Sequence, residues 1–294
     1  MNSSGLMFIT FGLLAIAMSA AWLKPFQIGG HIVIAPWAAL FITSVIAGLI
    51  AEVLSPLSII ELGLFSGATY LACASQSKSK QKILLSAITI ILALALALHR
   101  LPGFNNPVII SNVTLSAGAP AFTQYANFDK GAVGLLLLAI MCSRATTAAE
   151  WRKLLRQTIP VAIITIVAVF GVATMVGYVK PDFKITQVTM LFLATNLFFT
   201  VMAEEAFFRG FLQDRVALSL ARFRYGSLIA VACSAILFGL AHIAGGAIYV
   251  MLAFLGSLGY AYAYHITRRI EAPIIVHFAV NTVHFIGFTY PHLL

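Results

Sequence analysis

The chain has 294 residues, of which 61% are hydrophobic and only 9% charged, and its mean hydropathy is +0.99. This composition excludes a soluble globular domain and predicts an all-α protein, a polytopic transmembrane helix bundle. The net charge of +9 would suggest nucleic acid as a partner of a soluble protein. Here the basic residues lie in short connections between apolar runs, a distribution that reports membrane topology, so we expect a lipid bilayer and no nucleic acid.

Apolar runs long enough to cross a membrane, about 20 residues each, recur along the chain. Nine are clear and a shorter tenth precedes residue 144, so the sequence predicts about ten spans, with eight as the lower bound. The first run resembles a signal peptide, but no Lys or Arg precedes it, which favours a retained span. The predicted spans lie at about 6–23, 33–52, 57–75, 83–98, 131–143, 159–178, 186–211, 228–244, 247–266 and 273–290.

The basic residues orient these spans. With the N-terminus outside, the inner connections hold thirteen Lys and Arg residues, among them Lys78, and the outer ones hold four. Positive residues favour the cytoplasmic side, so this asymmetry predicts an N-terminus on the outer face.

Two regions are expected from the distribution of motifs. Residues 1–185 are predicted to be N-terminal transmembrane helices with an extracytoplasmic loop at 101–130, and residues 186–294 a catalytic transmembrane core. The loop contains several prolines and the β-prone run Val108–Ile110. Either a small cap with a hairpin or a plain loop is compatible with that sequence.

Three ionisable residues interrupt the predicted span at 186–211: Glu204, Glu205 and Arg209. A charge at the centre of a membrane helix costs about 2.5–3.5 kcal/mol on insertion scales, so something must compensate these three. Glu205 and Arg209 are four residues apart and therefore share a helix face, which predicts an ion pair. Glu204 lies off that face and is the carboxylate available to a polar cavity. A buried salt bridge that only fixes helix packing is the alternative.

Two later apolar segments carry further polar groups. His242 follows Phe238 by one turn and precedes the turn Gly245–Gly246. His277 and Asn281 share a face of the last predicted span, and His284 extends that stripe. Histidines in membrane helices often only bond neighbouring helices, but three spans that each contribute such groups favour a site.

These groups suit the hydrolysis of an amide. Glu204 can take a proton from water, and a neutral His242 ring can hold the same water. His277 and Asn281 can donate hydrogen bonds to the oxyanion of a tetrahedral intermediate. A zinc site with Glu204, His242 and His277 as ligands is the rival, although no HExxH motif supports it.

Three motifs, in this order, carry a resemblance to a known family: EExxxR at 204–209, FxxxH at 238–242 and HxxxN at 277–281. Together they resemble the CAAX prenyl protease and bacteriocin-processing family, the Abi group of intramembrane endopeptidases. The similarity covers about 186–290, and no motif identifies the first 185 residues.

The resemblance implies an intramembrane endopeptidase, hence a peptide or protein substrate. It assigns water activation to the first Glu and first His, and an oxyanion hole to the last His and Asn, with no cofactor required and zinc as the alternative. Prenylation is rare in bacteria and the chain shows no targeting extension, so we expect a bacterial inner membrane. The residues implied are Glu204, His242, His277 and Asn281, supported by Glu205, Arg209 and Phe238.

Two other functions remain open at this point. A non-catalytic immunity or scaffold protein of the same fold would use the polar cluster for assembly. A proton-coupled transporter would use Glu204, Glu205 and the histidines as a proton relay.

The predicted boundaries leave a difficulty of depth. Glu204 and His277 lie toward the inner side, whereas His242 is close to an outer turn. They can meet only if the Gly245–Gly246 turn lies deep in the membrane or if the helix of Glu204 continues past Arg209. Irregular backbone at that depth must line a wet cavity or be covered by protein, so we expect a water-filled cavity.

Overall fold

The computed structural model describes residues 3–28, 32–75 and 80–294, and these form the predicted all-α helical bundle. Residues 1–2, 29–31 and 76–79, which include Lys78 of the charge count, lie outside the described residues. Two short two-stranded sheets accompany the helices. The chain divides into two compact units, each with its own packed interior. The predicted functional division at residue 185 stays a prediction.

The first unit comprises residues 1–107, 125–142 and 198–203. Its core contains edge-to-face contacts of Phe11 with Phe128 and Phe199, at ring distances of 6.0 and 5.5 Å. Ser44 on the second helix donates a hydrogen bond of 2.7 Å to the Thr10 carbonyl on the first. The elements of this unit are α1 Ser3–Ala20, β1 Phe26–Ile28, β2 Ile32–Ile34, α2 Pro36–Ile50, α3 Pro56–Ala74, α4 Lys80–Ala97 and α5 Phe128–Met141.

The second unit comprises residues 108–124, 143–197 and 204–294 and contains all the predicted site residues. Helix α7 is continuous, although its residues 198–203 belong to the first unit. The elements are β3 Val108–Val113, β4 Phe122–Tyr125, α6 Ala148–Met175, α7 Thr189–Ser219, α8 Gly226–Ala241, α9 Gly246–Thr267 and α10 Glu271–Gly287, with a 3-10 turn, Ile243–Gly245, before α9.

Among the described residues, a helix occupies each of the ten places where the sequence predicts a span. In the described part of the chain, five helices are long and apolar enough to cross a membrane: α3, α4, α6, α7 and α9 with its preceding turn. Three more are apolar but shorter: Gly5–Ala20 within α1, α2 and α8. The protein is thus an integral membrane protein by its apolar helices, and the number of crossings stays a prediction.

Helix α6 begins earlier than the predicted span at 159–178. Thr147 accepts a hydrogen bond from the Glu150 backbone at 3.2 Å, and the Glu150 carboxylate accepts from the Thr147 backbone. This reciprocal capping box satisfies backbone N–H groups that the first turn of a helix leaves unpaired. The apolar run that predicts the span begins only after the charged residues of this first part of the helix.

The long predicted loop at 101–130 contains a hairpin-like pair of strands, β3 and β4, and not a plain loop. Ile110 and Leu115 from this region form a buried cluster with Phe192 of α7 and Phe285 of α10. The Phe192 and Phe285 rings stack at 3.9 Å. The hairpin is therefore packed onto the end of the second unit.

Helix α9 lies very close to its neighbours because glycine permits it. A Cβ atom on Gly259 would lie 2.0 Å from Thr165 Oγ1 of α6, and one on Gly239 of α8 would lie 2.9 Å from Phe254 Cβ of α9. Both distances are shorter than real contacts allow. These approaches fix α9 against α6 and α8, and α9 supplies side chains to the site described next.

Candidate functional site

The stretch of three charges lies at the centre of α7, with Glu204 at its midpoint. The helix continues beyond the predicted span at 186–211, past Arg209 to Ser219. The depth of the site in the membrane stays a prediction. Two π-helical segments, Asn196–Val201 and Ala206–Gln213, flank the short α-helical turn that carries both glutamates. Such π segments inside α-helices are frequent at functional sites.

Glu205 and Arg209 form the predicted ion pair. Arg209 Nη1 lies 3.0 Å from Glu205 Oε1, and both side chains are completely buried. Arg209 Nη2 also donates to the Ser257 hydroxyl and lies 3.4 Å from the Ser257 carbonyl oxygen. The guanidinium carbon is 4.6 Å from the centre of the Phe238 ring, within cation–π range. A buried charge is tolerable only when it is paired and hydrogen-bonded, and Arg209 meets both conditions.

His277 joins the two glutamates. Its Nδ1 lies 2.7 Å from Glu205 Oε1, and its Nε2 lies 4.0 Å from Glu204 Oε2. The Tyr260 ring of α9 stacks on the imidazole at 4.4 Å with an interplanar angle of 10°. Phe238 approaches the same ring edge-on at 5.6 Å. The imidazole is therefore held by a carboxylate on one edge and by aromatic rings on its faces.

The partner of His277 Nδ1 determines the tautomer. Glu205 is paired with Arg209, and an ionised carboxylate can only accept hydrogen bonds, so we assign the ring proton to Nδ1. In the neutral ring Nε2 is then an acceptor. Nε2 can donate to an oxyanion only when the ring carries a second proton. The spacing of the HxxxN motif does not indicate this requirement.

His242 ends α8 and contacts the cluster through Phe238. Its Nδ1 lies 2.8 Å from the Phe238 carbonyl oxygen, so Nδ1 is assigned as the donor and Nε2 as the acceptor. The ring centres of His242 and Phe238 are 4.7 Å apart. Phe238 thus lies against His242, His277 and Arg209.

Asn281 is one turn after His277 on α10, as the spacing predicts. Its Nδ2 donates a hydrogen bond of 3.1 Å to Oδ1 of Asn196, a buried residue of α7. Asn196, earlier on α7, contacts Asn281, later on α10, whereas Glu205, later on α7, contacts His277, earlier on α10. The two helices therefore run antiparallel here.

Sequence reasoning missed Asn196, Ser257 and Tyr260. Asn196 is an uncharged amide in an apolar run. A polar residue in such a run is a signal, but the charged residues after it are a stronger one. Ser257 and Tyr260 are three residues apart on α9, on one helical face, but nothing in their spacing names a partner. Their contacts depend on how α9 packs against α7 and α10.

The two glutamates differ in the exposed fraction of their side chains. The Glu204 side chain retains 15% of its area exposed, whereas Glu205 has 0%. Glu204 therefore has a part of its side chain that a molecule outside the protein can contact, and Glu205 has none. The chemistry that this arrangement allows is proton transfer at Glu204 beside the His277 imidazole of α10.

The described residues contain no group of three or more His, Cys, Asp or Glu side chains arranged to hold a metal ion. Glu204, His242 and His277 have donor types that zinc accepts, but they are not placed as such a group.

A cavity of about 320 Å³ lies between α8 and α9. Its lining is apolar, and it includes Ile236, Leu240, Val250, Met251 and Phe254. It does not match the expected water-filled cavity, which stays a prediction.

The fold defines a helical integral membrane protein with a buried polar cluster on three of its helices. Residues 184–283 match the family model described as type II CAAX prenyl endopeptidase Rce1-like. The matched region is about a third of the chain and contains all seven residues of the three motifs. This match confirms the family resemblance and the CAAX-protease fold of that region. No curated protein and no solved structure matched the chain.

Proposed function

We propose that this protein hydrolyses peptide bonds of a peptide or protein substrate within the membrane, with Glu204 as the general base. One observation carries the proposal: of the two adjacent carboxylates at the centre of α7, only Glu204 is partly exposed, and it lies 4.0 Å from His277 Nε2. Glu205 is sealed between Arg209 and His277 and has a positioning role.

The proposed reaction has two steps. Glu204 takes a proton from water while the water oxygen attacks the carbonyl carbon, and the π electrons move to the carbonyl oxygen. The intermediate then collapses, the C–N bond breaks, and the leaving nitrogen takes the proton from Glu204. His242 Nε2, held as an acceptor by the Nδ1 contact with Phe238, binds the second hydrogen of the water.

Two side chains of α10 are proposed to donate hydrogen bonds to the oxyanion of the intermediate. Asn281 donates from Nδ2, and His277 donates from Nε2 in its doubly protonated form. Loss of one such donor typically lowers kcat by about 10²–10³-fold.

The experiment uses purified full-length protein reconstituted in nanodiscs. Because the matched family is described as a CAAX prenyl endopeptidase, the first substrates are a farnesylated CAAX peptide and the same peptide without the lipid. Glu204→Gln should abolish cleavage. Glu52→Gln, the same chemical change at an exposed residue of the first unit, should leave cleavage intact. Turnover by the Glu204→Gln protein would remove Glu204 from the general-base role.

The rival functions give different results in the same preparation. A transporter would show proton-coupled flux in vesicles without proteolysis, and an immunity or scaffold protein would show neither. Elemental analysis of the active protein decides the zinc alternative: stoichiometric zinc, lost together with activity on chelation, would overturn the metal-free account.

The proposed setting is a bacterial inner membrane with the N-terminus outside. The charge asymmetry of the connections supports this orientation. Cysteine labelling at the two ends of the chain, from each side of sealed vesicles, tests it.

A further inference from the structure

The inference concerns Asn196 and rests on the proposed function, in which Asn281 donates to the oxyanion. We infer that Asn196 is a positioning residue for catalysis: its side-chain oxygen fixes the direction in which the Asn281 amide donates. The contact is the 3.1 Å hydrogen bond from Asn281 Nδ2 to Asn196 Oδ1.

The chemistry of the amide group supports this role. The Asn281 nitrogen has two hydrogens in one plane, fixed at an angle to one another. Asn196 Oδ1 accepts one of them, so the direction of the second is determined. A free Asn281 amide could rotate about its terminal torsion, which is broad and roughly two-fold, and could present its oxygen in place of its nitrogen. An oxygen there would repel an oxyanion.

The position of Asn196 makes the constraint effective. Asn196 is 8% exposed and lies at the start of the first π-helical segment of α7. A buried residue on a rigid helix is a precise reference point for a neighbouring side chain. Asn281 itself is half-buried, so it has a side left open toward a ligand.

The contact also links the helix that carries the general base to the helix that carries the oxyanion donors. Asn196 and the general base Glu204 are on the same helix, and Asn281 and His277 are on α10. The two bridges, Asn196 to Asn281 and Glu205 to His277, hold α10 at two points along α7. The distance between the base and the oxyanion donor is thereby fixed.

The key test is a double-mutant cycle in nanodiscs with the cleaved peptide found for the wild-type protein. Asn196→Leu removes the acceptor with little change in volume and should lower kcat about 10- to 100-fold, the usual cost of losing a residue that orients a catalytic ligand. KM should not change, because the ground-state contacts with substrate remain. In the Asn281→Ala background the same substitution should have no further effect on kcat.

Two further variants separate positioning from helix packing. Asn196→Gln keeps an uncharged amide oxygen as the acceptor and should retain more kcat than Asn196→Leu does. Gln213→Leu is the matched control, since Gln213 is another buried amide of α7 and its Nε2 donates to the Ala261 carbonyl of α9 at 2.9 Å. It should lower thermal stability about as much as Asn196→Leu does while kcat stays near the wild-type value.

The outcomes distinguish this inference from the proposed function. If Asn281→Ala retains full kcat, the oxyanion role fails and the proposed function loses that step. If Asn281→Ala loses activity but Asn196→Leu does not, only the role of Asn196 is refuted. Multiplicative losses in the double mutant, or a kcat loss in Gln213→Leu equal to that of Asn196→Leu, would show that Asn196 acts through helix packing instead.

Discussion

Glu205 Oε1 is shared by Arg209, at 3.0 Å, and by His277 Nδ1, at 2.7 Å. One buried oxygen thus connects a cation on its own helix with an imidazole on α10. The carboxylate next to it in the sequence, Glu204, is the one that is partly exposed. Adjacent residues of the same type therefore have different roles, and this difference is open to experiment.

Neutralising Glu205 should destabilise the protein, whereas neutralising Glu204 should not. In Glu205→Gln the buried Arg209 loses its counter-charge, and breaking a buried ion pair by removing one partner costs about 3–5 kcal/mol of the free energy of unfolding. Thermal unfolding in detergent measures this difference. The matched control is Glu204→Gln, which should unfold near the wild-type temperature; equal destabilisation of both variants would contradict the division of roles.

Tyr260 should act on His277 through its ring and not through its hydroxyl. The two rings stack at 4.4 Å. A well-placed aromatic pair contributes about 0.5–1.5 kcal/mol beyond its buried area, equivalent to a change of about 2- to 10-fold in a rate. Tyr260→Leu should lower kcat by that factor, and Tyr260→Phe should retain kcat. Peptide cleavage assays measure both, and an equal loss in Tyr260→Phe would point to the hydroxyl.

A single methyl group at Gly259 should force α6 and α9 apart. Its Cβ would lie 2.0 Å from Thr165 Oγ1 and 2.9 Å from Thr165 Cβ, and the latter cannot move away by a side-chain rotation. Overpacking of this kind costs about 1–3 kcal/mol. We expect Gly259→Ala to lower the unfolding temperature.

The control for this change is Gly171→Ala on α6. Among the described residues, no atom outside the helix's own backbone lies within 4 Å of a Cβ at Gly171. Alanine is favoured over glycine in helices by about 0.5–1 kcal/mol, so this variant should be at least as stable as the wild type. A Gly259→Ala protein as stable as Gly171→Ala would show that α9 has room to shift.

Acid should loosen the segment around Asp182, which lies outside the apolar helices. A hydrogen bond from Ser116 lowers the pKa of the Asp182 carboxyl below its ordinary value of 3.8, and Lys184 adds a further hydrogen bond and a favourable charge. A carboxyl whose pKa is lower in the folded state stabilises the fold above its unfolded pKa. That stabilisation is lost as the pH falls through the folded pKa.

Hydrogen exchange at two backbone amides measures this effect. The Asp182 N–H donates to the Gly287 carbonyl at 2.9 Å, and the Lys184 N–H donates to the Ile286 carbonyl at 2.7 Å. Their protection factors should be constant above about pH 4, near the unfolded pKa of an aspartate, and should fall below it. In Asp182→Asn the fall should disappear, and a fall that persists in that variant would assign the acid sensitivity to another group.

The local part of the site was readable from the sequence. The spacing of Glu205 and Arg209 places them on one helical face, and the same rule places His277 beside Asn281. Hydropathy located helices at the ten predicted places but misjudged their ends, as at Thr147, where a polar capping box begins α6. The end of a helix depends on single hydrogen bonds, and hydropathy averaged over a stretch of residues does not detect them.

The sequence by itself determined that this is an all-α membrane protein, that its three motifs lie on apolar helices, and which residues share a helical face. Only the tertiary structure decided that Glu205 holds His277, that Asn196 meets Asn281, and that Glu204 alone of the two glutamates is partly exposed. The physical reason is that helical periodicity orders contacts within one helix. Contacts between helices depend on their crossing and on close approaches such as that at Gly259, which no single segment encodes.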